Sequence, residues 1–212
     1  MPIDDLMPMP PQLGARASGW RQASFAALDF ETTGLDLTTD VVVSFGVVPV
    51  DAGRVRMRDA VHQLVSPSVP PSPRSQTIHE LRPQDLSDSP AITEARATLA
   101  AALAGRFLLA WFAEVEVHFL MTTFGGSARR WRRRTIDVRN LAIAVQGAPR
   151  SARASPGFAL SATADALGVP VANPHEALDD ALVTAQSFLV LASKLPGRPD
   201  PTVRELLRVA GA

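Results

Sequence analysis

The sequence predicts an α/β domain in which one mixed β-sheet is flanked by helices. Three apolar or alternating segments joined by short turns come first, which is typical of an antiparallel meander. Strand-like and helix-like segments then alternate, and this order favours a mixed sheet with helices on its faces. At 212 residues the chain is long enough for one well-packed core, and we find no internal repeats.

The three segments of the meander lie between Ser24 and Pro67. The first is SFAALDF, Ser24 to Phe30, and the second, Asp40 to Asp51, is rich in valine, which strands favour. A turn at 51–53 leads to the third, residues 54–67, where arginines alternate with apolar residues as in a half-exposed strand. The Pro/Ser-rich stretch 66–75 is predicted to be a loop.

The rest of the domain is predicted to alternate between strands and helices. Apolar positions at helical spacing and strong helix formers indicate four helices, at 91–105, 114–126, 161–169 and 175–195. Strands are predicted at 106–112 and at the start of 135–147, which runs on into a helix. We expect residues 1–23 to be a mostly disordered tail, 24–195 to form the domain, and 196–212 to be a C-terminal extension.

Composition excludes several classes of protein. The chain has 21 basic and 21 acidic residues, so attraction to nucleic acid must come from local patches. It has no cysteine, which excludes disulfides and thiolate metal sites and suits a cytoplasmic location. No apolar run reaches the roughly 18 residues that span a bilayer, so we expect no membrane partner.

The stretch ALDFETTGLD, Ala27 to Asp36, places two acidic residues at the end of a predicted buried strand. Asp29 and Glu31 are two positions apart, so their side chains project from the same face. Two carboxylates that close repel each other unless a cation neutralises them, although both could simply be solvated. The following Thr32-Thr33-Gly34 offers hydroxyl groups and a backbone that a ligand can approach closely.

The stretch NPHEALDDA, Asn173 to Ala181, has the features of a helix N-terminus. Asn173 is a good N-cap, and proline is favoured at the first helical position. His175 is then close to Asp179 and Asp180. An ordinary capped surface helix with a solvated histidine is the alternative.

Three stretches together resemble the DEDD superfamily of 3′-to-5′ exonucleases: LDFETTGLD, TIHELRPQDL, and HEALDDA followed by an apolar helix. The similarity is to the His-containing branch, with the epsilon proofreading subunit of bacterial replicative DNA polymerase and ribonuclease T. It covers about residues 25–195. It implies a ribonuclease-H-like sheet and release of nucleoside monophosphates from single-stranded DNA or frayed 3′ ends, with DNA preferred over RNA. It also implies two divalent cations, Mg²⁺ or Mn²⁺, and a DNA polymerase subunit as a possible partner.

The resemblance assigns catalytic and metal-binding roles to four residues outside the middle motif. Asp29, Glu31 and Asp180 correspond to metal-binding carboxylates, and His175 corresponds to the general base, since imidazole can accept a proton near neutral pH. Helical spacing alone would pair His175 with Asp179 instead.

The middle motif, WFAEVEVHFL from Trp111 to Leu120, departs from the family. Aligning its end puts Glu116 at the position of a metal-binding aspartate, while Trp111 and Phe112 replace a histidine and an asparagine. Glu114 is the other candidate. If neither glutamate binds metal, the chain is a weakened or inactive relative that binds nucleic acid or a polymerase. A third possibility is an enzyme acting on short RNA.

The resemblance also implies substrate contacts. Thr32 and Thr33 would touch the sugar or phosphate of the terminal nucleotide, and His79 would lie near its base, although His79 could equally have a structural role.

Arginines are concentrated in the run RRWRRR, Arg129 to Arg134. Arg129 and Arg130 could pair with phosphates and Trp131 could stack on a base, which would make the run a track for the entering strand. A solvated loop is the alternative. Asp137, just beyond, is interpreted mainly as a helix N-cap.

Overall fold

The computed structural model describes residues 7–12 and 14–211, which form one mixed sheet covered by helices on both faces. The strands are β1 (Ser24–Thr32), β2 (Val42–Asp51), β3 (Arg54–Val55), β4 (Val61–Leu64), β5 (Phe107–Ala110) and β6 (Thr135–Asp137). Their order is β3-β2-β1-β5-β6, and β4 also pairs with β2. The β1–β2 pair is antiparallel, whereas β1–β5 and β5–β6 are parallel. The predicted fold class is confirmed.

The helices pack on the sheet in two groups. They are α1 (Pro73–His79), α2 (Pro83–Leu86), α3 (Ile92–Leu103), α4 (Ala113–Phe124), α5 (Ala128–Arg132), α6 (Val138–Val145), α7 (Leu160–Leu167), α8 (Ala177–Ser193) and α9 (Val203–Ala210). Alternate β1 residues face opposite sides: Phe25 joins a core with α6, α8 and α9, and Ala26 joins a core with α3 and α4. Within the described part of the chain, no helix has both the length and the apolar character needed to cross a membrane.

The predicted third strand is wrong in its extent, because the segment 54–67 forms two short strands. A 3-10 turn, Met57–Asp59, separates β3 from β4. Pro49 of β2 accepts a hydrogen bond from the Arg56 N–H at 2.8 Å but has no N–H to return. The ladder is therefore interrupted beside the proline.

The predicted loop 66–75 is also wrong at its end, where α1 begins. The Ser72 side chain accepts a hydrogen bond from the Ser75 N–H, and Pro73 occupies the first turn of the helix. Serine at the N-cap followed by proline starts a helix well, since the missing proline N–H would have no partner there. The proline-rich composition concealed a helix start.

The structure contradicts the expected disordered tail for the described residues before Ser24. Trp20 is only 3% exposed and stacks edge-on against Phe188, with ring centroids 5.7 Å apart. Met9 accepts a hydrogen bond from Gly105. Residues 1–6 and 13 lie outside the described residues. At the other end, α9 packs on α6 and β6, so this part of the predicted extension contributes to the core.

Gly46 allows α8 to lie directly against β2. It pairs with Asp29 across the β1–β2 ladder, and a side chain there would collide with the backbone of Ala177 and Leu178 at the start of α8. Because Asp180 lies one turn further along α8, this contact fixes its carboxylate relative to Asp29.

We expect Gly46→Ala to lower the free energy of unfolding by about 1–3 kcal/mol, because the methyl group overpacks a backbone contact. Gly157→Ala is the matched control, since the added methyl group would meet only Ser155 Oγ at 3.9 Å. Urea denaturation of both variants measures the difference. Equal stability of the two would show that α8 does not depend on the close approach.

Candidate active site

Strand β1 presents two acidic residues where it runs past the end of β5. The last pair of the β1–β5 ladder is Ala27 with Leu109, so Asp29 and Glu31 project beyond it. A register shift between Glu31 and Thr32 then turns the strand out of the regular ladder. The two carboxylates thus lie at the carboxyl edge of the parallel strands, where α/β proteins bind ligands.

Helix α4 contributes a buried carboxylate to the same edge. Glu116, in the first turn, is 5% exposed, and its Oε2 atom has no hydrogen-bond partner. A buried carboxylate oxygen without a partner is unusual, and a water molecule or a cation would satisfy it. Glu114 is exposed, so of the two candidates only Glu116 points inward.

The start of α8 places a histidine and an aspartate beside β1. His175 precedes the helix, with a φ of 67°, and its backbone N–H donates to the Asp180 carboxylate at 3.2 Å. Asp179 instead accepts hydrogen bonds from the backbone and side chain of Asn173, at 3.1 and 2.7 Å. Ligand atoms of Glu31, His175 and Asp180 all lie within 4.8 Å of one another.

The four carboxylates form one electrostatic unit. Burial, followed by repulsion from Glu31, Glu116 and Asp180, raises the pKa of Asp29 well above its ordinary value. Burial and then Asp180 raise the pKa of Glu31 to about 8. Burial also raises the pKa of Glu116 to about 8, with smaller increases from Asp137 and Glu31, and raises that of Asp180.

The residues present suit hard divalent cations. Within residues 7–12 and 14–211, none of the four carboxylates forms a salt bridge with an arginine or lysine. Carboxylate oxygens are the ligands that Mg²⁺ and Mn²⁺ prefer, and a cation would both neutralise the cluster and supply the partner that Glu116 lacks.

Two arginines, Arg139 and Arg153, lie near Glu116 and Asp137 and were not singled out from the sequence. Asp137 is fully buried; it caps α6 by accepting from the Asn140 N–H, as predicted, and pairs with Arg153 at 3.0 Å. Arg139 lies over the Phe112 ring, 4.1 Å from its centroid. Burial raises the pKa of Glu116, and the positive charge of Arg139 offsets part of that rise. No motif marks these arginines in the sequence, because only the fold brings them to α4.

A pocket of about 190 Å³ opens beside Glu31. Its lining includes Thr32 and His79, both predicted substrate contacts, with the exposed Leu35 and Ile78. The Nδ1 atom of His79 accepts a hydrogen bond from the Leu81 N–H at 3.0 Å, and burial lowers the pKa of the ring. His79 therefore has the structural role and also lines the pocket.

The structure contradicts a substrate contact for Thr33. Its side chain is buried, and the hydroxyl donates to Asp40 at 2.7 Å and accepts from the Val41 N–H at 3.1 Å. Thr33 therefore supports the loop after β1 instead of facing the pocket.

The arginine run does not lead into the site. Arg129 and Arg130 lie in α5, which follows the far end of α4, about 18 Å along the helix axis. Trp131 is 1% exposed, and its indole N–H donates to the Gly125 carbonyl, so the expected stacking surface is wrong. Ser127 caps α5, so the segment is also not the loop of the alternative interpretation.

Comparison with known families and proteins gives a consistent result. Residues 26–188 match a family model described as an exonuclease, RNase_T. The chain is 32% identical over 173 residues to a PolC-type DNA polymerase III of Thermotoga petrophila, covering 81% of this chain and 12% of that protein. It is 23% identical over 185 residues to the 3′-5′ exonuclease DinG of Staphylococcus aureus, covering 87% of this chain and 20% of that protein. The chain thus spans a small part of these relatives.

Solved structures share the fold. The nuclease domain of 3′hExo, described as a DEDDh family member and bound to rAMP, superposes with a TM-score of 0.68 at 15% identity. The match covers 87% of this chain and 98% of that one.

We expect the metal-free protein to become less stable as the pH rises from about 5 to about 8. An acid whose pKa is raised on folding holds its proton more tightly in the folded state, so stability declines from the unfolded pKa of 4.5 up to the folded value of about 8. Mn²⁺ should raise Tm more at the upper end, because ligands must be deprotonated to bind it.

Differential scanning fluorimetry with EDTA or Mn²⁺ measures this dependence. Glu116→Gln should weaken the decline, whereas Glu114→Gln, an exposed neighbour on the same helix, should keep it. A Tm that is constant over this range and insensitive to Mn²⁺ would contradict the expectation.

Proposed function

This chain belongs to the exonuclease family whose model spans residues 26–188, and on that premise we propose that it is a metal-dependent 3′-to-5′ exonuclease. Its membership of the DEDD superfamily, predicted from the sequence, is confirmed. The proposed reaction is hydrolysis of the terminal phosphodiester of a single strand or frayed end, releasing a nucleoside monophosphate.

The convergence of Asp29, Glu31, Glu116 and Asp180 from three separate elements is the observation that supports this proposal most directly. Burial raises the pKa of each, and repulsion within the cluster adds to the rise for Asp29, Glu31 and Glu116, so ionising all four costs free energy unless a cation neutralises them. Divalent ions serve the family generally. We assign these four residues as ligands of two Mg²⁺ or Mn²⁺ ions.

The protein's own groups have distinct parts in the proposed mechanism. When bound, the divalent cations lower the pKa of water and stabilise negative charge on phosphate oxygens. An imidazole nitrogen of His175 takes the proton of the attacking water. The Asp180 carboxylate accepts from the His175 backbone N–H and so holds the exposed histidine beside Glu31. Asp179 fixes the preceding turn through Asn173.

The pocket beside Glu31 is the proposed site of the terminal nucleotide. Leu35 and Ile78 present exposed apolar surface that can pack on a base, while Thr32 and His79 line the side toward the carboxylates. Binding in this pocket would bring the 3′ phosphodiester next to Glu31.

The substrate and the partners are also proposals. DNA is favoured over RNA because the PolC-type relative is a DNA polymerase, although the 3′hExo structure holds a ribonucleotide. The same relative supports association with a DNA polymerase subunit. A cytoplasmic location stays a prediction.

We expect Asp29→Asn and Glu116→Gln each to lower the rate of single-strand degradation by about 100-fold or more, because misplaced or missing ligands disturb the geometry of the reacting groups. The assay follows a 5′-labelled DNA strand with Mn²⁺, and EDTA should abolish cleavage. Glu114→Gln is the matched control and should stay within about twofold of the wild type.

Nucleic-acid binding without metal-dependent cleavage would instead identify the chain as an inactive binding module and overturn the proposal. The same would follow if Glu114→Gln and Glu116→Gln behaved alike.

Glu116→Asp tests whether the unusual middle motif impairs catalysis. Glu116 is the proposed metal ligand, and the shorter aspartate side chain would withdraw the carboxylate by about one C–C bond. We therefore expect Glu116→Asp to reduce kcat by about 10-fold or more. A higher kcat than the wild type would mean that glutamate weakens the site.

A further inference from the structure

An open groove made almost entirely of arginine lies near the start of the parallel strands, at the end of the sheet opposite the carboxylates. The groove has a volume of about 550 Å³. Its lining consists of Arg16, Arg129, Arg132, Arg133, Arg204 and Arg208, together with Leu207 and Gly211. We call these six arginines the arginine groove.

The arginine groove is assembled from segments that are distant in the chain. Arg16 lies in the 3-10 turn Ala15–Ala17 and donates to the Arg133 carbonyl, which ties the N-terminal segment to the end of α5. Arg204 and Arg208 are one turn apart on α9. The residue after α9, Gly211, bridges to Ile136 of β6, which brings α9 beside α5.

Within the described residues, no salt bridge joins an acidic side chain to the arginine groove. All six arginines are exposed, and none takes part in the salt bridges of residues 7–12 and 14–211. Glu205 is adjacent in sequence, but its carboxylate accepts hydrogen bonds from Thr202 and pairs with Arg198 at 3.0 Å. Like charges four apart on a helix, as on α9, destabilise it slightly.

The composition of the arginine groove favours a phosphate backbone. Guanidinium groups bind phosphates with paired hydrogen bonds, and every cation in the groove is an arginine. An acidic protein partner would need buried apolar or aromatic anchors, and Leu207 is the one large apolar residue in the lining. A chain with zero net charge gains such a surface only by concentrating its arginines.

We propose that the arginine groove is a second nucleic-acid binding site, which holds the phosphate backbone away from the cleavage site. It is separate from the proposed active site. Arg129, Arg132 and Arg133 follow the far end of α4, whereas Glu116 lies at its start. Phe25 pairs with Phe107 at the start of β5, and Asp29 lies about 13 Å further along β1. The groove therefore binds a segment of the nucleic acid that is not being hydrolysed.

Fluorescence anisotropy with a labelled DNA duplex in EDTA tests this proposal without any contribution from catalysis. The background is Asp29→Asn, so that loss of activity cannot affect the result. Arg132→Glu with Arg208→Glu should weaken binding and reduce the slope of log affinity against log salt by about 1.8, that is, 0.9 for each phosphate contact removed. The milder pair, Arg132→Gln with Arg208→Gln, should reduce the slope similarly. Because it introduces no negative charge, it separates the loss of two phosphate contacts from unfolding caused by charge reversal.

The matched control is Arg56→Glu with Arg58→Glu, which makes the same change in net charge at two exposed positions. These positions lie near β3, the edge strand on the other side of the sheet from β6. The control pair should keep the wild-type salt slope. Equal slopes for the two charge-reversal pairs would overturn the proposal. The proposal would also be overturned if the protein bound poly-glutamate but not DNA, and if the Arg132→Glu/Arg208→Glu variant lost that binding. The site would then accept acidic polypeptides.

Discussion

The fold is organised around one electrostatic constraint, which is that four carboxylates share a partly buried site. Burial raises the pKa of Asp29, Glu31, Glu116 and Asp180, and repulsion within the cluster adds to the rise for the first three, so full ionisation costs free energy unless a cation neutralises the charge. The supporting structure serves to hold these groups together. Gly46 admits α8 to within contact of the sheet, and the first turn of α4 directs Glu116 inward. Backbone packing therefore brings together carboxylates that would otherwise repel one another.

The distribution of charge along the sheet divides the molecule into two functional edges. Carboxylates collect where the parallel strands end, and arginines collect near the start of β5 and β6, around α5 and α9. Equal numbers of acidic and basic residues in the whole chain conceal this separation. The proposed active site is acidic and repels phosphate in the absence of metal ions, so the arginine groove could hold the same polymer without competing for the proposed cleavage site.

Local patterns in the sequence were sufficient for the main elements and for the motif residues. The strand that contains Asp29 and the helix after His175 are marked by short-range apolar periodicity, which acts within a few residues. The N-cap predicted at Asn173 is wrong, because α8 begins at Ala177, directly after Glu176. Trp131 and Thr33 were misassigned because their roles depend on distant partners: Trp131 is buried against α4, and Thr33 binds Asp40. The family resemblance, and not helical spacing, selects Asp180 over Asp179, and the start of α8 after His175 agrees with that choice.

Anomalous diffraction from crystals grown with Mn²⁺ tests most directly whether the four carboxylates bind divalent cations, because it locates the metal without reference to activity. We expect two manganese peaks in contact with oxygens of Asp29, Glu31, Glu116 and Asp180, and their loss in Asp180→Asn crystals grown under the same conditions. Peaks held elsewhere, or crystals saturated with Mn²⁺ that show no peak among these carboxylates, would contradict that binding.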